Sequence, residues 1–279
     1  MSRTANPDWR DSVTEQAEEF EVGRYLYCVV AVDEESPDDD SLSISGIDGE
    51  PVSVLAENGV GAVVQGCESP YDTDDLETVR DWLLTHQEVV DTAGQTFGTP
   101  LPFRFDTILK GDDERVRTWI ADQKETLERH LSEFEGHWEY RVGVAWDEER
   151  VREELESEDE ELADLREQIE ASEEGTAFLL EKQYDNRIRD LRQSRKEGLT
   201  NRLRDGLDPL VREFDVLDSG SGVLDGGTSD EVVQIAFLAD EERETDIGGV
   251  LDDIADDPGV EVRFTGPWPP YSFVPELDA

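Results

Sequence analysis

Residues Arg24 to Asp33 read RYLYCVVAVD, eight apolar side chains in a row between two charges. The run is rich in aromatic and β-branched residues and does not alternate. It therefore reads as a central strand covered on both faces. It is far short of the ~20 residues needed to span a bilayer. Downstream, Pro51 to Ala56 and Val60 to Gln65 form two more strands around Asn58-Gly59, a strong hairpin signal. Thr73 to about Gly94 is an amphipathic helix, with Leu76, Val79, Leu83, Val90 and Ala93 near one face. Asp72, Asp74 and Asp75 favour its N-terminus. Leu101 to Leu109 reads as one strand. Asp112 to about Glu135 reads as a second helix, carrying Val116, Trp119, Ile120, Leu127, Leu131 and Phe134.

A second set of elements starts at Trp138 to Trp146 (WEYRVGVAW), again a strand. Glu148 to about Ser172 reads as one acidic helix with a thin stripe of Val151, Leu155, Leu162, Leu165 and Ile169. A long helix follows from about Thr176 to Phe214, which Pro209 kinks or breaks. Strands at Val216 to Leu224 and Glu231 to Ala239 flank the turn Asp225-Gly226-Gly227. A helix at Asp240 to Ala255 and a strand at Val260 to Thr265 complete the set. The expected class is α+β (α/β) with two domains. A polar tail covers 1–21, a mixed sheet with helices covers 22–136, and a ferredoxin-like sheet with a long helical hairpin covers 137–279.

Charge narrows the function. The 279 residues carry 72 acidic and 25 basic side chains, a net charge of −47. Such a chain repels phosphate, which excludes a reader of nucleic-acid backbones and disfavours an anionic membrane surface. Only four lysines occur among the basic residues, and the acids are spread along the chain. That is what a high-salt cytosol selects, because salt screens self-repulsion over a Debye length of ~3 Å at 1 M. The polar N-terminus shows no secretory hydrophobic run, so a cytoplasmic protein is expected.

The residues offer little catalytic chemistry. There is no phosphate-binding glycine loop and no nucleophile elbow. Cys28 and Cys67 both fall in expected strands and read as small buried thiols. His86, His130 and His137 lack zinc-site spacing and read as structural. No cofactor or metal site is expected.

Two features remain open to more than one reading. From Lys182 to Arg204 the long helix holds eight basic and three acidic side chains, among them Arg187, Arg189, Arg192, Arg195 and Arg202. They either neutralise the acidic helix before them or dock an acidic partner. The segments PLPFRF (100–105) and GPWPPYSF (266–273) are rigid and aromatic. The second excludes helix and central strand, because its three prolines remove donors and fix φ. It runs as extended chain that either straps a sheet or forms a groove for another protein.

At these segments the chain resembles the gas vesicle protein family GvpF/GvpL, and its length and acidity are most like the haloarchaeal GvpL members. The resemblance rests on RYLYCVV (24–30), LPFRFDTIL (101–109), WEYRVGVAW (138–146) and FTGPWPPYSFV (264–274). Family members usually carry PxRFGT in the second motif, where Asp106 here replaces glycine and puts a left-handed turn in question. The resemblance implies a non-enzymatic assembly protein that binds the shell protein GvpA and other accessory Gvp proteins. A minor structural component of the shell, or an enzyme on a ferredoxin-like frame, are its competitors. The motif positions offered for binding are Pro102, Arg104, Phe105, Trp138, Gly266, Pro267, Trp268, Pro269, Pro270, Tyr271 and Phe273.

Overall fold

The computed structural model describes residues 22–33, 42–217, 231–275 and 277. The tail at 1–21 and the turn at Asp225-Gly226-Gly227 lie outside these residues. The apolar run forms β1 (Gly23–Ala31), with β2 (Val52–Glu57) and β3 (Val60–Cys67) beside it. Helix α1 (Leu76–Phe97), the short β4 (Leu101–Pro102) and β5 (Ile108–Lys110), and helix α2 (Asp113–Phe134) complete the first set. The strand order is β2-β3-β1-β4, with β5 also on β1, and every pairing is antiparallel. Asn58 and Gly59 both take positive φ, as the tight hairpin turn demands.

A bulge at Tyr27 turns both Tyr27 and Cys28 to the same face of the sheet. Tyr25, Tyr27, Cys28 and Val30 join Val89, Val90 and Ala93 of α1 in one core. Leu26 and Val29 join Val116, Trp119, Ile120 and Leu127 of α2 in the other. The sheet therefore sits between two helices. Leu76, expected on the inner face of α1, is instead exposed at the first helical position. The stretch read as one strand over 101–109 is broken by a turn, and Asp106 sits there at φ 63. Aspartate tolerates that conformation better than most residues. Its carboxylate also accepts the Tyr71 N–H at 3.1 Å.

The second sheet comprises β6 (His137–Trp146), β7 (Glu213–Val216), β8 (Glu231–Asp240) and β9 (Val260–Trp268), in the antiparallel order β7-β8-β6-β9. Between β6 and β7 run α3 (Glu148–Glu158), α4 (Glu160–Ala171) and α5 (Glu174–Leu207). Helix α6 (Glu244–Ala255) joins β8 to β9. Leu199, Leu203 and Leu207 of α5 and Ile247, Leu251 and Ile254 of α6 cover one face. The other half of α5 packs with α3 and α4 as a separate arm around Val151, Leu155, Leu162, Leu165, Tyr184 and Ile188.

Three boundaries depart from expectation. The acidic helix over 148–172 is two helices, because the Asp159 side chain caps α4 by accepting the Leu162 N–H at 2.9 Å. Helix α5 stops at Leu207, before the Asp208-Pro209 step, so β7 starts at Glu213. The closing prolines do not keep the chain extended throughout. Pro267 and Trp268 finish the edge strand β9, and Tyr271 to Phe273 then form a turn closed by the Phe273 and Val274 N–H groups on the Pro270 carbonyl.

Candidate functional site

The closing segment belongs to the second sheet in sequence but seals the first. Tyr271 packs against the core under α1. Phe273, Val274 and Leu277 pack against the core under α2. The chain thus crosses from one layer of the first sheet to the other. Its anchor is Glu139, a fully buried carboxylate on β6. Glu139 accepts the Ser272 N–H at 2.7 Å, the Ser272 hydroxyl at 2.9 Å and the Arg141 Nε–H at 2.7 Å. A buried charge is tolerable only when paired and hydrogen-bonded in this way. Gly266 is dictated by close approach. Its φ is 129°, and a Cβ there would lie 2.7 Å from the Tyr140 ring and 2.9 Å from the Glu139 carbonyl oxygen.

This crossing creates a cleft of about 260 Å³ between the two sheets. Leu83, Leu84, His86 and Gln87 of α1 form one wall. Phe103, Arg104 and Phe105 of the turn after β4, with Arg141, Trp268 and Tyr271, form the rest. Beneath it lies an aromatic cluster. Tyr25 meets Tyr27, Tyr71, His86 and Phe105 edge-on at centroid distances of 4.9 to 6.1 Å.

Burial sets the protonation states there. It pushes the Tyr25 and Tyr271 phenols well above their ordinary range and Tyr71 to about 12, so all three stay neutral. Burial pulls His86 down to about 4, against a weak opposing influence of the Phe103 carbonyl. His86 Nδ1 bonds the Tyr25 hydroxyl at 2.7 Å. Farther along α1, burial and then the neighbouring Glu88 raise Asp91 to about 6, and Asp91 in turn helps hold the Tyr271 phenol up.

Of the motif positions, the fold brings Arg104, Phe105, Trp268 and Tyr271 together in the cleft. Pro102 is buried in β4 opposite Cys28. Trp138 packs over Gly94 of α1 and lines a different hollow. Phe273 fills the α2 core, Pro269 and Pro270 are buried, and Pro267 follows Gly266 through a cis peptide bond. Leu83, Leu84, His86, Phe103 and Arg141 were not offered as site residues. The one sequence signal is Leu84, an apolar residue beside the stripe that α1 buries. Leu84 is accordingly 49% exposed.

The arginines of α5 lie elsewhere, three of them turned to acids of α3 and of the α3–α4 junction. Arg187 pairs with Asp159 at 2.7 Å, Arg192 with Glu148 at 2.5 Å, and Arg195 with Glu154 at 2.9 Å. Arg202 pairs with Asp257, and Arg189 donates to Asn186 at 3.1 Å. Cys28 and Cys67 are buried free thiols, and no helix among the described residues is long and apolar enough to cross a membrane.

The architecture is a mixed fold of two antiparallel sheets with a helical arm and a proline-aromatic closing segment. The chain belongs to the gas vesicle synthesis protein GvpL/GvpF family, whose sequence model it matches over residues 23–275. It is 42% identical over 275 residues to gas vesicle protein L1 of Halobacterium salinarum, covering 98% of this chain and 97% of that protein. It is 44% identical over 238 residues to gas vesicle protein L of Haloferax mediterranei, covering 84% of this chain and 74% of that one. In fold it is similar to the crystal structure of GvpF from Anabaena, with a TM-score of 0.76 at 21% identity, over 92% of this chain and all of that one. GvpF from Microcystis aeruginosa aligns with a TM-score of 0.66 at 20% identity, over 91% and 99%.

Proposed function

We propose that this chain is a non-enzymatic gas vesicle assembly protein. It binds the shell protein GvpA and other accessory Gvp proteins as a chaperone-like platform in a high-salt cytoplasm. The observation that carries this reading is the convergence of two motifs, one from each sheet, on a single aromatic cleft. The remaining surface is strongly acidic, which keeps an apolar client in solution while it is held. In this reading the first sheet with its two helices is one domain. The second, with the strand order β7-β8-β6-β9, is a ferredoxin-like domain whose first crossover is lengthened into the arm.

The mode of recognition follows from the same geometry. β9 is an edge strand, and its last residue, Trp268, lines the cleft. A partner strand laid along β9 ends among aromatic side chains, as in β-augmentation, where main-chain bonds give affinity and pockets give specificity. Capture of GvpA and of the accessory proteins by the full chain, in multimolar KCl, tests the reading. Leu84→Asp puts a charge at the mouth of the cleft without touching a core, and it is expected to abolish capture. Undiminished capture by a folded Leu84→Asp chain sinks the cleft as the docking site.

A further inference from the structure

The closing segment from Pro269 to Pro275 is tied to the body of the protein at few points. Between described residues, its polar ties to the rest of the chain all run through Ser272. Ser272 gives its N–H and its hydroxyl to Glu139 at 2.7 and 2.9 Å, and its hydroxyl oxygen accepts from Arg141 at 3.4 Å. Pro269, Pro270 and Pro275 have no N–H to give. The N–H groups of Tyr271, Phe273 and Val274 bond to the carbonyls of Pro269 and Pro270, inside the segment itself. The turn therefore carries its own backbone hydrogen bonds and keeps them when it moves as a unit.

Its remaining grip is light. Phe273, Val274 and Leu277 pack on the α2 core but stay only partly buried, and Ser272 is exposed. Closure also leaves two donors without partners. Trp268 Nε1 and the Tyr271 hydroxyl are shut off from solvent and bond to nothing. In water both are hydrogen-bonded, so the closed position sacrifices their hydration. The structure underneath is of another kind. The side chains from Tyr25 to Val30 of β1 are fully buried, and β6 is paired along its length with β8 and β9. A segment with one exposed latch, partly buried anchors and unpaired donors sits at the low end of local stability. The strand β9 ends at Trp268, so the Trp268-Pro269 step is where the segment parts from the sheet.

We propose that the closing segment is a releasable strap: residues 269–275 lift from the first sheet while both sheets stay folded, and this opens the cleft. Tyr271 leaves the cleft wall with the strap, and Trp268 at the end of β9 is uncovered. The surface freed runs from the core under α1, where Tyr271 packs, to the core under α2, where Phe273 and Val274 pack. This rests on the cleft being the docking site and adds how access to it is controlled. The closed strap is the resting state, and a partner that covers the freed aromatic surface holds the strap open.

Hydrogen exchange of the full chain in multimolar KCl, first with no partner present, tests the proposal. It is followed at the Ser272, Phe273 and Val274 amides and at those of β1 and β6, with rising urea below the unfolding transition. The strap amides should exchange about a hundredfold faster than those of β1 and β6, and with little dependence on urea. Tyr271→Phe keeps the ring and removes the unpaired hydroxyl, so it should slow exchange at Ser272 about fivefold. Ser272→Ala removes the hydroxyl half of the latch and should speed exchange at Phe273 and Val274 about tenfold, with β1 and β6 unchanged. Strap amides that exchange only together with β1 and β6 overturn the proposal. So does a Tyr271→Phe strap that exchanges as fast as the parent's or faster. With GvpA captured, strap exchange should rise again; a fall overturns the control of access. The two readings fail separately. If Leu84→Asp abolishes capture and the strap opens only on global unfolding, the docking site stands and the strap does not. If the strap opens locally and Leu84→Asp leaves capture intact, the strap stands and its part in docking falls with the cleft.

Discussion

The helical arm and the cleft handle polarity in opposite ways. In the arm the arginines of α5 face carboxylates of α3 and of the α3–α4 junction at 2.5 to 2.9 Å, and the groups are partly exposed. Around the cleft three polar atoms, His86 Nε2, Trp268 Nε1 and the Tyr271 hydroxyl, are buried and unpaired. Exposed ion pairs contribute little and fade with salt, whereas buried hydrogen bonds do not. A protein whose composition fits multimolar salt has little to gain from recognition through exposed charge. The contrast teaches that its selectivity belongs where water and salt are excluded, even though the arm is the more conspicuous feature of the sequence.

The largest expected effect falls at the strap that builds the cleft. Gly266→Val drives a branched side chain into the Tyr140 ring and the Glu139 carbonyl, at a φ that disfavours it. It should cost about 3 kcal/mol in denaturant unfolding and loosen the closing segment from Glu139. A change below ~1 kcal/mol would show that the segment is not held where the Glu139 contacts place it.

Nearly as large is the acid response of His86. Its folded pKa lies near 4 and its unfolded value near 6.5. The unfolded chain therefore binds the proton first, and stability is lost as pH falls from about 6.5 to 4. The full loss is about 3 kcal/mol. His86→Gln removes that titration and keeps an acceptor for the Tyr25 hydroxyl. Its unfolding free energy, measured from pH 7.5 to 4, should fall less than the parent's by about that amount; parallel curves would contradict a buried neutral imidazole.

Much of the architecture was legible because local rules and the fold agree. The Arg24 to Asp33 run forms the strand flanked by partners on both sides, and Asn58-Gly59 forms its hairpin. The misreadings share a cause. The break at Asp159 is made by an aspartate acting as a cap, and in a chain with 72 acids one more carboxylate carries no signal. The turn at Asp106 was hidden for a related reason, since its partner is the backbone of Tyr71, 35 residues away. The cleft was half legible. Its aromatic motifs stand out in sequence, but His86 and Leu84 enter through a helix that only the tertiary fold lays against them.

A smaller effect comes from Asp91, on the same helix as His86 but opposite in sign. Its folded pKa is raised to about 6, so its ionised form opposes folding. The stabilising contribution is full below about 3.8 and is lost as pH rises through 6. Asp91→Asn should therefore stabilise the chain near pH 8 by about 1 kcal/mol, a figure discounted for the partial exposure of the group. The gain should disappear by pH 4. A gain independent of pH would point to packing and not to charge.

The smallest effect sharpens the contrast from the side of the arm. Arg195 and Glu154 are each about 30% exposed and 2.9 Å apart. Their coupling energy, measured by a double-mutant cycle with Arg195→Gln and Glu154→Gln, should be a few tenths of a kcal/mol at the lowest salt at which the chain stays folded. It should approach zero in multimolar KCl, where the Debye length is ~3 Å or less. Charge reversal at Arg189, Arg192 and Arg195 together should lower arm stability and leave partner capture by the cleft intact. If capture is lost while the arm stays folded, the arginines bind the partner. The division of labour between arm and cleft then fails, because recognition would run through exposed charge after all.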